Sequence, residues 1–321
     1  MSAATLRLGT RGSALALAQA RPVADKLGAE LVVIESEGDR STAPLADLGG
    51  TGVFATALRD ALRRGDVEVV VHSYKDLPTE PAAGLVVAAV PKRADARDAL
   101  CARDGLTLDG LPSGARVGTG SPRRRAQLLA RRPDLDVVEI RGNVDTRLAR
   151  VGGASGLDGL DHPEPTTEGD LDAVVLAAAG LDRLGRLDAV TEFLAIDDWP
   201  TAPAQGALAI EVRAGDESRV AKLNHNPTRL AAEAERGVLA RLEAGCSAPI
   251  GAHAELDDGL LFLSARVYSL DGSAQLTSSH ALYPEDALHP SDELATRVSD
   301  ELLAAGAAAL APLGTARGAG E

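Results

Sequence analysis

The amino-acid sequence predicts an α/β protein: two similar units in which strands are crossed over by helices, then a smaller α+β unit. Three observations carry this. Short apolar, β-branched runs alternate with Ala- and Leu-rich segments over residues 5–90, and the alternation restarts after Asp95; such an order is the signature of a doubly wound parallel sheet. Beyond residue 250 the pattern becomes alternating runs separated by Asp257-Asp258-Gly259 and Asp271-Gly272, which is hairpin chemistry. A chain of 321 residues also exceeds one ordinary core. The expected division is 1–93 with 201–223, then 94–200, then 224–321.

In the first unit, Leu6 and Leu8 flank Arg7 in a strand, and Gly9-Thr10-Arg11-Gly12-Ser13 turns into a helix over 14–27. Ser13 is a suitable N-cap, Pro22 is expected to kink the helix, and Gly28 to end it. A strand at 31–35 leads into 36–52, whose Gly, Ser, Thr and Asp content resists packing and reads as a loop able to cover a site. A helix over 53–64, closed by Gly65, precedes a buried strand at 67–71, and 85–90 adds another before Pro91.

The second unit repeats the plan with strands at 99–102, 116–118, 137–140 and 173–177 and helices over 123–132, 144–151 and 181–184. Between its last helix and strand, 152–169 reads as a surface excursion rich in Gly, Pro, Asp and Thr. After Pro200 and Pro203, the strand 207–212 is placed to return to the first sheet. A helix over 227–244, strands at 252–256, 260–270 and 275–282, and a helix over 292–310 form the α+β unit.

The stretch VEVVVHSYKDLP at 67–78 sets His72, Ser73, Tyr74, Lys75 and Asp76 just beyond the carboxyl end of a buried strand, where open α/β sheets bind ligands. Taken alone, it is equally compatible with a solvated turn before Pro78. Strand-to-helix junctions at 10–13 (TRGS), 119–124 (TGSPRR) and 141–147 (RGNVDTR) share one plan. Each offers backbone N–H groups at a helix N-terminus with a hydroxyl or amide and an arginine beside it, the makings of an anion site. Each alone is also what a capped helix start requires. With no GxxxxGK[ST] and no GxGxxG opening a helix, the anion indicated is a ligand with many carboxylates, for which arginine forks are suited, rather than a nucleotide.

Composition narrows the classes. A formal net charge of −14 surrounds the protein with no field attractive to polyanions, so any anion is held locally. Aromatics at 2% supply no stacking platform for single-stranded nucleic acid. Cys101 falls in an apolar strand; Cys246 follows a helix end, which does not lower a thiol pKa, so its setting alone fits a half-buried structural cysteine. The cysteines and histidines show no metal-ligand spacing. Two distant cysteines and no apolar signal or spanning run point to the cytoplasm.

Taken together, the blocks TRGSALALAQ, GVFATALRDAL, VHSYKDLPT, VGTGSPRRRAQL, IRGNVDTRL, AGLDRLG, PAQGALAIE and LEAGCSAPIGA, in this order from Thr10 to Ala252, resemble the porphobilinogen deaminase (hydroxymethylbilane synthase) family. The resemblance implies two periplasmic-binding-protein-like domains flanking an active-site cleft, plus a third, small domain, in a monomer. It implies a dipyrromethane cofactor, made from two porphobilinogen units and held by a thioether to Cys246. Onto it four further porphobilinogens are added with loss of ammonia, before hydrolysis releases hydroxymethylbilane. Asp76 matches the family's catalytic aspartate, with Lys75 beside it. Implied cofactor contacts are Arg11, Ser13, Ser73, Lys75, Thr119, Ser121, Arg123, Arg124, Gly142 and Gln205; implied substrate contacts are Arg11, Arg141, Arg147, Arg183 and Phe54.

Departures from the family pattern are Asp47 and Thr51 where many relatives carry lysines, Gly120 in place of a common serine, and a long 152–169 excursion. The rival reading is a non-catalytic carboxylate-binding protein of the same fold, which needs neither Cys246 nor Asp76. A nucleic-acid binder using 123–125 and 131–132 is opposed by the acidic balance and the missing aromatics.

Overall fold

The computed structural model describes residues 5–35, 52–152, 169–244 and 248–313, with only the backbone at 52–54. The expected covering loop, nearly all of the second-unit excursion and Cys246 therefore lie outside the described residues.

Within these, the chain forms three sheets. The first contains β1 (Arg7–Thr10), β2 (Glu30–Val33), β3 (Val69–Ser73), β4 (Leu85–Ala89) and β10 (Leu208–Arg213), in the order β2-β1-β3-β10-β4. On one face, Leu8, Val69, Val71 and Ile210 pack against Ala20, Val23 and Ala24 of α1 (Ala14–Leu27). On the other, Val67 and Val70 meet Leu58, Ala61 and Leu62 of α2 (Gly52–Arg64). Burial on both faces is why this strand reads as a continuous apolar run rather than an alternating one. Ser13 caps α1 by accepting the Ala16 N–H, Gly28 closes it at φ 64°, and the helix continues through Pro22.

The second sheet contains β5 (Asp98–Ala102), β6 (Arg116–Gly118), β7 (Asp136–Val138), β8 (Ala173–Ala177) and β9 (Glu192–Leu194), in the order β7-β6-β8-β5-β9. Its helices include α3 (Pro122–Arg131), α4 (Val144–Leu148) and α5 (Ala178–Arg183). The third sheet is an antiparallel meander of β11 (Ile250–Asp257), β12 (Leu260–Tyr268) and β13 (Gln275–Leu282). One core joins it to α6 (Asn226–Arg241) and α7 (Pro290–Ala304).

The α/β sheets are mixed rather than parallel throughout. β10 returns to the first sheet, as its two preceding prolines suggest, but runs antiparallel to both β3 and β4. β5 runs antiparallel to β8 and β9. A helical crossover enforces parallel pairing, whereas β5 and β10 are delivered by the segments that pass between the two sheets, so that constraint does not bind them. The expected final helix is broken: α7 stops at Ala304, Gly306 takes φ 99°, and a short α8 (Ala307–Leu310) follows.

The third unit depends on a close helix crossing at Gly237, where a Cβ would stand 2.6 Å from the Ala295 Cβ. Overpacking of this kind costs about 1–3 kcal/mol. Gly237→Ala is therefore expected to lower the urea midpoint of unfolding, and an unchanged midpoint would contradict the packing described.

Candidate active site

β3 ends at Ser73 and passes into a single 3₁₀ turn, Tyr74–Asp76. The turn is held from behind. Tyr74 N–H donates to the Ala207 carbonyl at 3.1 Å, and the Arg236 guanidinium of α6 donates to the carbonyls of Tyr74, Leu77 and Pro78 at 2.8, 2.8 and 2.7 Å while stacking on the buried Tyr74 ring. With the backbone so anchored, Asp76 stands exposed. It lines one cavity with Arg11, Ser13, His72 and Ser73, closed by Gln19 of α1 and by Ala55 and Leu58 of α2. The β1-to-α1 junction and the β3 terminus thus converge, as the rule for strand carboxyl ends requires.

Beside this cavity lies a buried ionic node centred on Asp98, the first residue of β5, which is 0% exposed. Arg124 donates to one carboxylate oxygen at 2.6 Å and Arg123 to the other at 2.9 Å. Gln205 Nε2 and Trp199 Nε1 donate to it at 2.8 and 3.0 Å. Gln205 Oε1 accepts from Lys75 Nζ at 3.3 Å, and so joins the node to the turn that carries Asp76. Both arginines sit in the first turn of α3 because Ser121 caps that helix through the Arg124 N–H, and Thr119 Oγ1 accepts the Ser121 N–H.

The electrostatics show cations crowded together. Burial pulls the Lys75 ammonium down to about 8, opposed by Asp76 and Asp98 and reinforced by Arg124 and Arg123. Arg147 is lowered by burial, then by Arg124 and Arg141, with Asp76 opposing. Burial opposes ionisation of Asp98, yet Arg123 and Arg124 together with its hydrogen bonds hold it far below the usual carboxylate range. Arg183 is lowered by burial, opposed by Asp182, and donates to the Gly206 carbonyl at 2.8 Å.

The expected site residues therefore fall into distinct places. Arg11, Ser13, Ser73 and Asp76 share the cavity, and Lys75, Arg124 and Arg147 stand in one electrostatic cluster. Arg123 and Gln205, both implied cofactor contacts, are 3% and 0% exposed. Arg123 donates to Asp98, Gln127 and the Pro200 carbonyl. Thr119 is also buried, and Ser121 serves as a helix cap. Arg141 and Gly142 are exposed; Arg141 pairs with Glu139, and Arg147 Nε donates to the Gly142 carbonyl. Gly142 has φ 105°, and a Cβ there would press on Thr146. Phe54 lies in the first turn of α2, its side chain outside the described residues, as is Cys246.

The serine-to-glycine departure at 120 has a steric reason, since a Cβ would lie 2.6 Å from the Ile140 carbonyl oxygen. Residue-level reading missed Asp98, Trp199 and a second buried node, in which Glu211 of β10 accepts from Arg59 at 2.9 Å and from His72 Nε2 at 3.1 Å. The available signal was an acidic residue inside an apolar strand, in DALCA and in LAIEVR, because a charge so buried demands a partner. Burial pushes the Cys101 thiol up to about 12, which leaves it unreactive. Among the described residues no group of His, Cys, Asp and Glu is arranged to hold a metal ion.

Comparison with known proteins places this geometry in a family. Residues 6–221 match the family model described as porphobilinogen deaminase, dipyromethane cofactor binding domain, and residues 229–304 match porphobilinogen deaminase, C-terminal domain. The chain is 59% identical to the porphobilinogen deaminase of Leifsonia xyli subsp. xyli, with 96% of this chain and 94% of that one covered. It is 50% identical to that of Thermobifida fusca, with 96% of each covered, and 53% identical to that of Micrococcus luteus, with 87% and 82% covered.

Replacing Asp98 by Asn leaves two buried guanidiniums without their counter-ion, a loss of about 3–5 kcal/mol. Because the Asp98 carboxyl is depressed on folding, its contribution is present above the unfolded carboxylate pKa of about 3.9 and is lost as pH falls below it. Chemical denaturation is expected to show the large loss at pH 7 and a smaller one at pH 3; equal losses at both would contradict the node. Gly120→Ser is expected to lower the thermal midpoint, and a neutral effect would overturn the steric account.

Proposed function

The chain belongs to the porphobilinogen deaminase family, and we propose on that premise that the cavity at the end of β3 and the cationic cluster beside it form one active site. The family activity is that of a deaminating transferase, which joins four porphobilinogen molecules head-to-tail on a dipyrromethane primer and releases ammonia, then hydroxymethylbilane. A family match over both chain segments favours this over a non-catalytic carboxylate-binding protein.

The observation that carries the assignment is the surplus of positive charge facing Asp76. Lys75 and Arg147 add to the two arginines that already neutralise Asp98, and both are lowered first by burial and then by the arginines nearby. A dipyrromethane bears an acetate and a propionate on each ring, and its carboxylates would supply the missing negative charge. The Nε of Arg124 is buried without a hydrogen-bond partner, a donor suited to a carboxylate. The residues present fit the group. Arg124 and Arg147 would hold it from the second-sheet side and Arg11, Ser13, Ser73 and Lys75 from the first, with Cys246 supplying the thioether sulfur. When bound, the group supplies the pyrrole carbon onto which substrate is added.

Asp76 stands where positive charge develops on a pyrrole nitrogen as ammonia departs. Its carboxylate lowers the energy of that charge, and its oxygens take up and return the proton. Arg11, Arg141, Arg147 and Arg183, with Phe54, orient the carboxylates of incoming porphobilinogen. In this reading residues 1–93 with 201–223 carry the catalytic aspartate, 94–200 the arginine wall, and 224–321 the attachment cysteine. Among the described residues no helix is long and apolar enough to cross a membrane, and we assign the monomeric chain to the cytoplasm on the family reading.

Asp76→Ala is expected to reduce turnover by about 10²-fold or more with the fold intact by circular dichroism; near-normal turnover would remove Asp76 from this role. Lys75, at about 8, loses its charge as pH rises through that value. KM for porphobilinogen is therefore expected to climb above pH 8, and Lys75→Met to raise it at all pH and abolish the climb. The stability sign is opposite. Because the folded value lies below the ordinary lysine value of 10.5, the buried ammonium costs stability below pH 8, and that cost fades as pH approaches 10.5.

A further inference from the structure

Gln205 is fully buried, and its side chain touches Lys75, Arg124 and Asp98 together, at 3.3, 3.4 and 2.8 Å. A side-chain amide does this only if its backbone is fixed, and the fixing comes from another ion pair. Arg93, on the segment leaving the first sheet, donates Nε to the Gln205 carbonyl at 2.6 Å. Its two Nη atoms donate to the oxygens of Glu235 at 2.6 and 3.0 Å. Glu235, on α6 of the third unit and 0% exposed, accepts the Ala204 N–H at 2.5 Å. The pair thus grips the chain just before and just after the Gln205 Cα. Ala204 is held at φ 62°, a left-handed conformation that alanine takes only when its surroundings impose it. Glu235 also accepts the Ala254 N–H of β11 at 2.7 Å, which ties the grip to the sheet of the third unit.

We propose that Arg93 and Glu235 are positioning residues of the active site, which set Gln205 and through it the Lys75 ammonium and the Arg124 guanidinium. Neither reaches the cavity beside Asp76. Their effect is to key the third unit, where Cys246 lies, to the cations on the cleft side of the other two. The inference rests on the reading of Lys75 as an anion contact.

Arg93→Lys tests it, because lysine keeps the buried positive charge but lacks the fork that reaches Gln205 and both Glu235 oxygens at once. The groups facing Lys75 are Asp76 on its own turn, Asp98 on β5, and Arg123 and Arg124 on α3, with the Gln205 side-chain Oε1 as its hydrogen-bond acceptor. With that acceptor displaced, the ammonium loses support. The folded variant, checked by circular dichroism and cooperative unfolding, is expected to show KM for porphobilinogen raised about tenfold and the basic limb of its pH profile moved about one unit lower. Glu235→Gln is expected to shift both in the same direction. A folded Arg93→Lys protein with wild-type KM and basic limb would overturn the proposal. So would one that does not fold, since it would assign the pair to folding alone. Lys75→Met measured in parallel separates the two layers: if it changes neither KM nor the limb, the reading of Lys75 fails; if it changes both and Arg93→Lys changes neither, the positioning inference fails.

Discussion

A carboxylate buried as completely as Asp98 persists as an anion only when cations and dipoles replace the water it has lost. Here two consecutive guanidiniums do so, and each takes a different oxygen, so the carboxylate fixes the direction in which the first turn of α3 presents its charges. The Gln205 amide and the Trp199 indole complete its coordination. Both are brought to it by the segment returning to the first sheet. The geometry of the cationic wall and the relation between the two sheets are therefore set by one group. Its charge is smaller than that of the two arginines paired with it, which leaves the node with a surplus of positive charge.

Among the described residues the same logic recurs twice more. Glu211 binds Arg59 of α2 and His72 of β3, fixing the helix over the strand that leads to Asp76. Glu235 binds Arg93 and two backbone N–H groups where the chain segments between sheets meet the third unit. With 2% aromatic residues, the cores are built from Ala, Leu and Val, whose packing is weakly directional. Buried ion pairs supply the direction instead. This is costly in desolvation and worthwhile mainly where a specific geometry is needed, and all three nodes lie against or just behind the candidate site.

Legibility in the sequence followed the range of the interactions. The run at 67–71 was readable because burial on both faces leaves it uniformly apolar, and the caps Ser13 and Gly28 because capping is settled within a few residues. Strand direction in β5 and β10 was not readable, since it depends on which sheet the chain arrives from. β9, three residues long, carries too little pattern to register. At the site, local reading yielded the Lys75-Asp76 turn and the arginine-bearing helix starts but left their purpose open. The family resemblance supplied roles. That Arg123 and Gln205 both bond to Asp98 emerged only from the structure, because Asp98 is 25 and 107 positions away from them.

On the proposed function, this charge surplus holds a covalently tethered polycarboxylate beside Asp76. The most direct measurement is the intact mass of the purified protein from a host that makes porphobilinogen, compared with Cys246→Ala. The expected result is a wild-type mass increased by one dipyrromethane and an alanine variant at the mass of the bare chain. A wild-type protein at the bare-chain mass, or an adduct that survives in Cys246→Ala, would contradict it.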